Sequence, residues 1–257
     1  MEKTLIQVKN VLLGAGIPKI CVPLTGCSRT ELLEEVRAVK ETGPDLVEWR
    51  ADFFKELKNP VSVRAMLEAL QQELEEIPLL FTVRTLQEGG EARLTVSEYC
   101  DIIENAVLAR PDLTDVEAFG EFPRKKQLIR YLQEKGSVVI ASSHDFTKTD
   151  SCERLLEKFA QMESSGGDIL KIAVMPKDFS DVTALLNATY EMNRRSDKLL
   201  ISISMGSLGM ITRIAGEVSG SVLTFGSGRH ASAPGQLPVK ELRYVLKSLH
   251  TEDPTDK

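Results

Sequence analysis

Eight times along the chain, a short apolar or β-branched run is followed by a longer segment whose apolar residues recur at helical spacing. The runs lie at 19–24, 45–50, 78–84, 114–119, 137–142, 168–175, 198–205 and 221–225. The helical segments lie near 29–42, 61–76, 96–109, 123–135, 151–165, 181–195, 209–218 and 238–249. Leu32, Val36 and Val39 in the first segment, and Leu155, Leu156, Phe159 and Met162 in the fifth, form the stripe a helix lays on a sheet. One unit per ~30 residues is the size of a minimal βα repeat. Runs without polar alternation suit parallel strands covered on both faces. The pattern therefore predicts an α/β fold, a closed (β/α)8 TIM barrel with its helices outside. An open doubly wound sheet is the alternative. It normally carries a glycine-rich turn after its first strand, and Leu24-Thr-Gly-Cys-Ser28 has no GxGxxG.

Helix starts are marked by Ser28 with Glu31, Thr95 with Glu98 and Asp150 with Glu153, which fit the capping box. Pro60 and Pro238 suit a first helical turn, where a missing donor costs nothing. Residues 1–17 precede the first unit, and Thr4–Val8 with Val11–Leu13 are expected to pair as a β-hairpin closing the barrel bottom. With no linker or break in composition, residues 1–257 read as one domain.

Bulk properties exclude several classes. A formal net charge of −6 argues against a nucleic-acid partner. The first ten residues lack the apolar core of a signal peptide, and no run approaches the ~20 apolar residues of a membrane span. The expectation is a cytoplasmic protein without membrane contact. Cys21, Cys27, Cys100 and Cys152 form no CxxC pair and are expected to be reduced, and three histidines make a multi-histidine metal site unlike this chain.

In a closed barrel, chemistry collects where the strands end. Glu48 and Arg50 end the second run on one face, and Arg84 ends the third, ahead of Glu88-Gly-Gly-Glu91. Asp115 and Glu117 share a face of the fourth, and the fifth runs into Ser142-Ser-His-Asp145. Lys171 interrupts the sixth, where Ile169, Leu170, Ile172, Ala173 and Val174 leave its ammonium little water. That is the setting in which a lysine serves as a nucleophile. A carboxylate from Glu48 or Glu117 beside it would instead favour the charged form. His144, on the neighbouring run, is the one histidine at a strand end and the obvious proton carrier near neutral pH. An amine that forms an iminium with a ketone acidifies the adjacent carbon, and a base beside it can take that proton. The residues alone thus reach carbonyl chemistry: aldol cleavage, elimination or isomerisation. The stretch 226–238, rich in Gly, Ser and Pro, is long for a βα connection and reads as a lid over the site.

In order, Glu48-Trp-Arg50, Phe81-Thr-Val-Arg84, Glu88-Gly-Gly-Glu91, Ser143-His-Asp145, Lys171-Ile-Ala-Val-Met175, Ser204-Met205, Arg213, Thr224-Phe-Gly226 and Ala231-Ser-Ala-Pro-Gly-Gln236 resemble the type I 3-dehydroquinate dehydratases of the shikimate pathway, in the class I aldolase superfamily. The resemblance covers essentially the whole chain. It implies that Lys171 forms a Schiff base with the C3 ketone of 3-dehydroquinate, and that His144 removes a C2 proton and assists loss of the C1 hydroxyl. Glu88 would orient that histidine. The product would be 3-dehydroshikimate, by syn elimination, with no metal or organic cofactor. Glu48, Arg50 and Arg84 match substrate contacts, Arg213 the residue that binds the substrate carboxylate, Met205 and Phe225 the apolar walls, and Ser232 and Gln236 the lid. Homodimers are common in the family. The chain departs from it at Pro23, where several relatives place a substrate-contacting serine. Two rival readings are a Schiff-base aldolase of the same superfamily and a non-catalytic barrel that binds a small acid.

Overall fold

A computed structural model describes residues 3–120, 122–228 and 234–250. Eight parallel strands form the predicted barrel: β3 (Lys19–Leu24), β4 (Leu46–Arg50), β5 (Leu79–Thr82), β6 (Leu113–Glu117), β7 (Val138–Asp145), β8 (Ile169–Val174), β9 (Leu199–Ser204) and β10 (Leu223–Phe225). Each pairs with its sequence neighbour, and β10 returns to pair with β3. A parallel bridge from Leu200 to Ser221, with the Val222 N–H donating to the Leu200 carbonyl at 2.8 Å, closes the ring. The helices α1 (Arg29–Lys40), α2 (Pro60–Leu74), α3 (Val96–Ala106), α4 (Phe122–Glu134), α5 (Cys152–Ser165), α6 (Phe179–Arg195), α7 (Met210–Ile214), α8 (Gly216–Ser219) and α9 (Val239–Leu249) lie between successive strands or after the last.

Strand alternation sorts the core into two layers. Val47 and Trp49 of β4, Leu79 and Phe81 of β5, and Val139 of β7 face the helices, where Leu67, Leu70 and Ile103 meet them. The opposite row faces the barrel axis. It begins apolar, with Leu46, Leu80, Leu113, Ile140, Ile169 and Leu199 packed in one cluster. Two residues further along, the same rows carry Glu48, Thr82, Asp115, Ser142 and Lys171. The antiparallel hairpin β1 (Ile6–Val8) and β2 (Val11–Leu13) inserts Val8 and Leu13 into that apolar cluster, so it plugs the end where the strands begin.

Four expectations about element ends need correction. The predicted helix 209–218 is two short helices, α7 and α8, because Gly216 is pressed against the chain: a Cβ there would lie 2.6 Å from the Ser221 carbonyl oxygen. The α5 N-cap is Ser151, which accepts from the Arg154 N–H, while Asp150 pairs with Lys148 and Lys158 instead. The fifth barrel strand continues to Asp145, so His144 sits on the strand with its neighbour Ala173 in register. The third ends at Thr82, before Arg84. Thr95 and Glu98 do form a full capping box, and Pro60 opens α2. Among the described residues no helix is long and apolar enough to cross a membrane, and the four cysteines are unpaired.

Candidate active site

Lys171 is buried in the middle of β8, with only 4 % of its surface exposed. Its Nζ lies 3.5 Å from Asp115 Oδ2, 3.9 Å from Glu48 Oε1, and 4.4 Å from the centre of the Phe225 ring. Its nearest charged partners are thus carboxylates. Glu48 is one of the two suggested by sequence; Glu117 is not the other, because Arg84 and Thr85 hold it. Asp115 Oδ2 has no hydrogen-bond partner, so its electrostatic partner is the lysine. Burial would raise the Asp115 carboxyl, but Arg84, Lys171 and a bond from the Ser142 hydroxyl hold it below the usual range.

Arg84 organises the carboxylates. Its Nη2 meets Asp115 Oδ1 at 2.9 Å, and its Nη1 meets Glu117 Oε1 at 3.2 Å, Glu88 Oε2 at 3.3 Å and Ser142 Oγ at 3.1 Å. Although burial opposes charge, the surrounding carboxylates raise its proton affinity above that of an ordinary arginine. Glu88 hangs from a short 3-10 turn, Leu86–Glu88, that closes on two glycines. Gly89 has φ +78° and Gly90 is so close that a Cβ would lie 2.2 Å from the Arg84 carbonyl oxygen, so the turn requires both.

Glu88 Oε2 accepts the His144 backbone N–H at 3.0 Å and lies 2.9 Å from His144 Nδ1. An oxygen already accepting from a backbone amide and a guanidinium is not a donor, so Nδ1 carries the proton. Nε2 is then the basic nitrogen. Burial, aided by the charges of Arg84, Lys171 and Arg50, holds the imidazole well below the ordinary histidine value, so it is neutral around pH 7. Burial and the nearby Glu117 and Asp115 push Glu88 up, against the pull of Arg84.

Arg213 is different from the other buried cations. It is 1 % exposed, and its bonds among the described residues go to the carbonyls of Phe225 (3.4 Å) and Pro234 (2.9 Å). Its Nε has no partner, and among the described residues no carboxylate pairs with it. Desolvation alone pulls it down to about 10. A buried guanidinium without a counterion is an arrangement that an anion could neutralise.

These groups converge on one cleft of about 520 Å³, open to solvent. Ten of the residues singled out from sequence line it: Glu48, Arg50, Arg84, Glu88, His144, Lys171, Met205, Arg213, Phe225 and Gln236. Ser232 lies outside the described residues. Sequence reasoning missed Phe146, Ala173 and Ile203 on the walls, and Asp52 behind them. Ala173 and Ile203 had a readable signal, since they lie two residues past inward-facing Lys171 and Ile201. No group of three or more His, Cys, Asp or Glu among the described residues could hold a metal ion.

Comparison with known proteins agrees with this geometry. A family model described as Type I 3-dehydroquinase matches residues 20–253. A 3-dehydroquinate dehydratase of Listeria innocua is 43 % identical over 248 residues, covering 96 % of this chain and 98 % of its own. Two solved structures are each 40 % identical and cover 96 % of this chain. One is the 3-dehydroquinate dehydratase of Geobacillus kaustophilus (TM-score 0.93, 97 % of that chain). The other is the type I enzyme of Clostridium difficile with covalent modified comenic acid (TM-score 0.92, 98 % of that chain).

Proposed function

The chain belongs to the type I 3-dehydroquinase family, and from that membership and the cleft we propose that Lys171 and His144 dehydrate 3-dehydroquinate through a Schiff base. The coarser conclusion stands without that mechanism: this is a 3-dehydroquinate dehydratase of the shikimate pathway.

The observation that carries the mechanism is the placement of a buried amine and a neutral imidazole on one wall of one cleft. Lys171 gives a proton to His144 Nε2 and its amine attacks the C3 carbonyl carbon; the imidazole returns that proton as the carbonyl oxygen leaves as water, forming an iminium. The iminium draws electrons from C2, and His144 Nε2 removes the C2 proton. The electron pair returns to form the C1–C2 double bond as the C1 hydroxyl departs, taking its proton from the same imidazole. Proton removal and return from one residue on one face is what makes the elimination syn. Hydrolysis of the imine frees 3-dehydroshikimate and Lys171. The lysine itself provides the electron sink, so this sequence of steps calls for no cofactor.

Arg213 supplies the missing counter-charge for the substrate carboxylate, while Glu48, Arg50 and Gln236 contact its polar rim and Met205 and Phe225 form the apolar sides. Arg84, enclosed by four partners, acts chiefly by keeping Asp115, Glu117 and Glu88 in place. The same reading treats the chain as one cytoplasmic domain that forms a homodimer, with the loop 226–238 closing over substrate and Ser232 on it.

Borohydride reduction in the presence of 3-dehydroquinate, followed by peptide mass mapping, tests the mechanism. We expect one stable adduct on Lys171, and none in Lys171→Ala, which should also lose about four orders of magnitude in kcat. An active enzyme whose adduct falls on another lysine, or that forms none, would refute it.

A further inference from the structure

We propose that Asp52 is a positioning residue for this reaction: it sets the guanidinium of Arg50 in the cleft and anchors the loop that hangs Glu88 on His144. The proposal rests on the reading given above for Arg50 and His144.

Asp52 lies in the 3-10 turn Ala51–Phe53 that follows β4, and its side chain is fully buried. Its two carboxylate oxygens accept four bonds. Arg50 Nε donates to Oδ1 and Arg50 Nη2 to Oδ2, each at 2.8 Å, a two-pronged pair that leaves the guanidinium plane no rotational freedom. The backbone N–H of Arg84 donates to Oδ1 at 3.3 Å, and that of Glu91 to Oδ2 at 3.1 Å. Arg84 and Glu91 flank the turn 85–90, so one carboxylate fastens both ends of the loop that carries Glu88. The Phe53 ring, 5.1 Å from the Arg50 guanidinium carbon, covers the other side of the pair.

No apolar packing explains a carboxylate here, because a carboxylate this buried is costly unless every lone pair is satisfied. Its four donors come from one cleft-lining side chain and two backbone groups at the neck of the catalytic loop. Asp52 does not line the cleft itself. Its influence on the reaction therefore runs through Arg50 and Glu88.

The test is a double-mutant cycle with Asp52→Asn and Arg50→Ala, carried out on the full chain with Tm recorded for each variant. The amide keeps the shape but turns one acceptor into a donor that faces Arg50 and the backbone N–H of either Arg84 or Glu91. In an otherwise native chain, Asp52→Asn should raise KM about tenfold, the scale of one lost charge-assisted bond. In the Arg50→Ala background the same change should leave KM within about twofold, yet still lower kcat by a few fold through Glu88. Equal KM effects in both backgrounds, or a folded Asp52→Asn protein with native KM and kcat, would overturn the proposal. If Asp52→Asn does not fold, Arg50→Lys decides: it keeps the charge but cannot bridge Asp52, so KM should rise as in Arg50→Ala, and a native KM would sink the idea. A native chain without activity on 3-dehydroquinate would refute the reading of the site instead, before any variant is compared.

Discussion

At the end of the barrel where strands begin, Asp45, Asp112 and Asp168 each stand one residue before a strand. Each accepts the backbone N–H of a residue on the preceding strand: Ile20 at 2.7 Å, Leu79 at 2.9 Å and Val139 at 2.8 Å. Each also has a partner at the rim, Arg243, Lys9 and Gln133 respectively. At the opposite end, the carboxylates of Glu48, Asp115, Glu117 and Glu88 face buried cations, and among the described residues Arg213 faces no carboxylate. The same acidic residue type thus does two jobs. Below, it finishes the backbone hydrogen bonding of alternate strands and leaves no charge unmet. Above, charges are concentrated out of water and one is left open, an arrangement that costs stability until an anion arrives.

Substitutions above should damage catalysis, and those below should damage stability. His144→Ala should have the larger effect of the two argued for the upper end, lowering kcat by roughly 10²–10⁴-fold, the range for removing a positioned base. It should let an imine on Lys171 accumulate, visible as an adduct under borohydride. Native-like turnover would remove His144 from its role. The same residue fixes a pH signature. Because its folded value is held well below 6.5, the native protein resists taking a proton that the unfolded chain accepts readily. The His144 contribution to stability should therefore be full above about pH 6.5 and decline as the pH falls below it, and kcat should hold its plateau below pH 6.5 as well. A kcat that halves near pH 6.5 would contradict a depressed imidazole.

Arg213→Met separates function from stability in one residue. Losing this open guanidinium should raise KM by about 100-fold, with kcat changed far less. Removing a buried charge without a counterion should leave Tm unchanged or higher. A lower Tm together with a native KM would place Arg213 among the structural groups and erase the contrast between the two ends.

The two ends were unequally legible in the sequence. Strand and helix positions could be read because continuous apolar runs and the 3.6-residue period are local, and so could the charged residues at strand tips, since side-chain alternation puts Glu48 and Arg50, or Asp115 and Glu117, on one face. What could not be read was pairing across the axis. Whether Lys171 meets a guanidinium or a carboxylate depends on the register of β4, β6 and β8, and no local pattern contains it. Asp52 escaped notice because it sits past a strand end in an ordinary-looking Ala-Asp-Phe turn, and only the fold brings Arg84 and Glu91 to it. Arg213's isolation is invisible for the same reason: a missing partner has no sequence. The split of α7 from α8 depends on Gly216 packing against Pro18 and Ser221, again a tertiary contact.

The smallest effect on activity, and the sharpest test of the lower end, belongs to Asp112→Ala. It leaves the Leu79 N–H without its acceptor inside a buried strand and releases Lys9, which bonds the carbonyls of Glu75 and Ile77 from the hairpin. An unsatisfied buried amide costs about 1–3 kcal/mol, and for a chain of this size each kcal/mol lowers Tm by about 2–4 °C. The apolar layer of Leu46, Leu80, Leu113 and Ile140 lies between this carboxylate and the cleft. Thermal melts should therefore shift while kcat/KM at 25 °C stays within about twofold. A parallel fall in kcat/KM would mean that the hairpin end and the catalytic end are mechanically coupled through that layer.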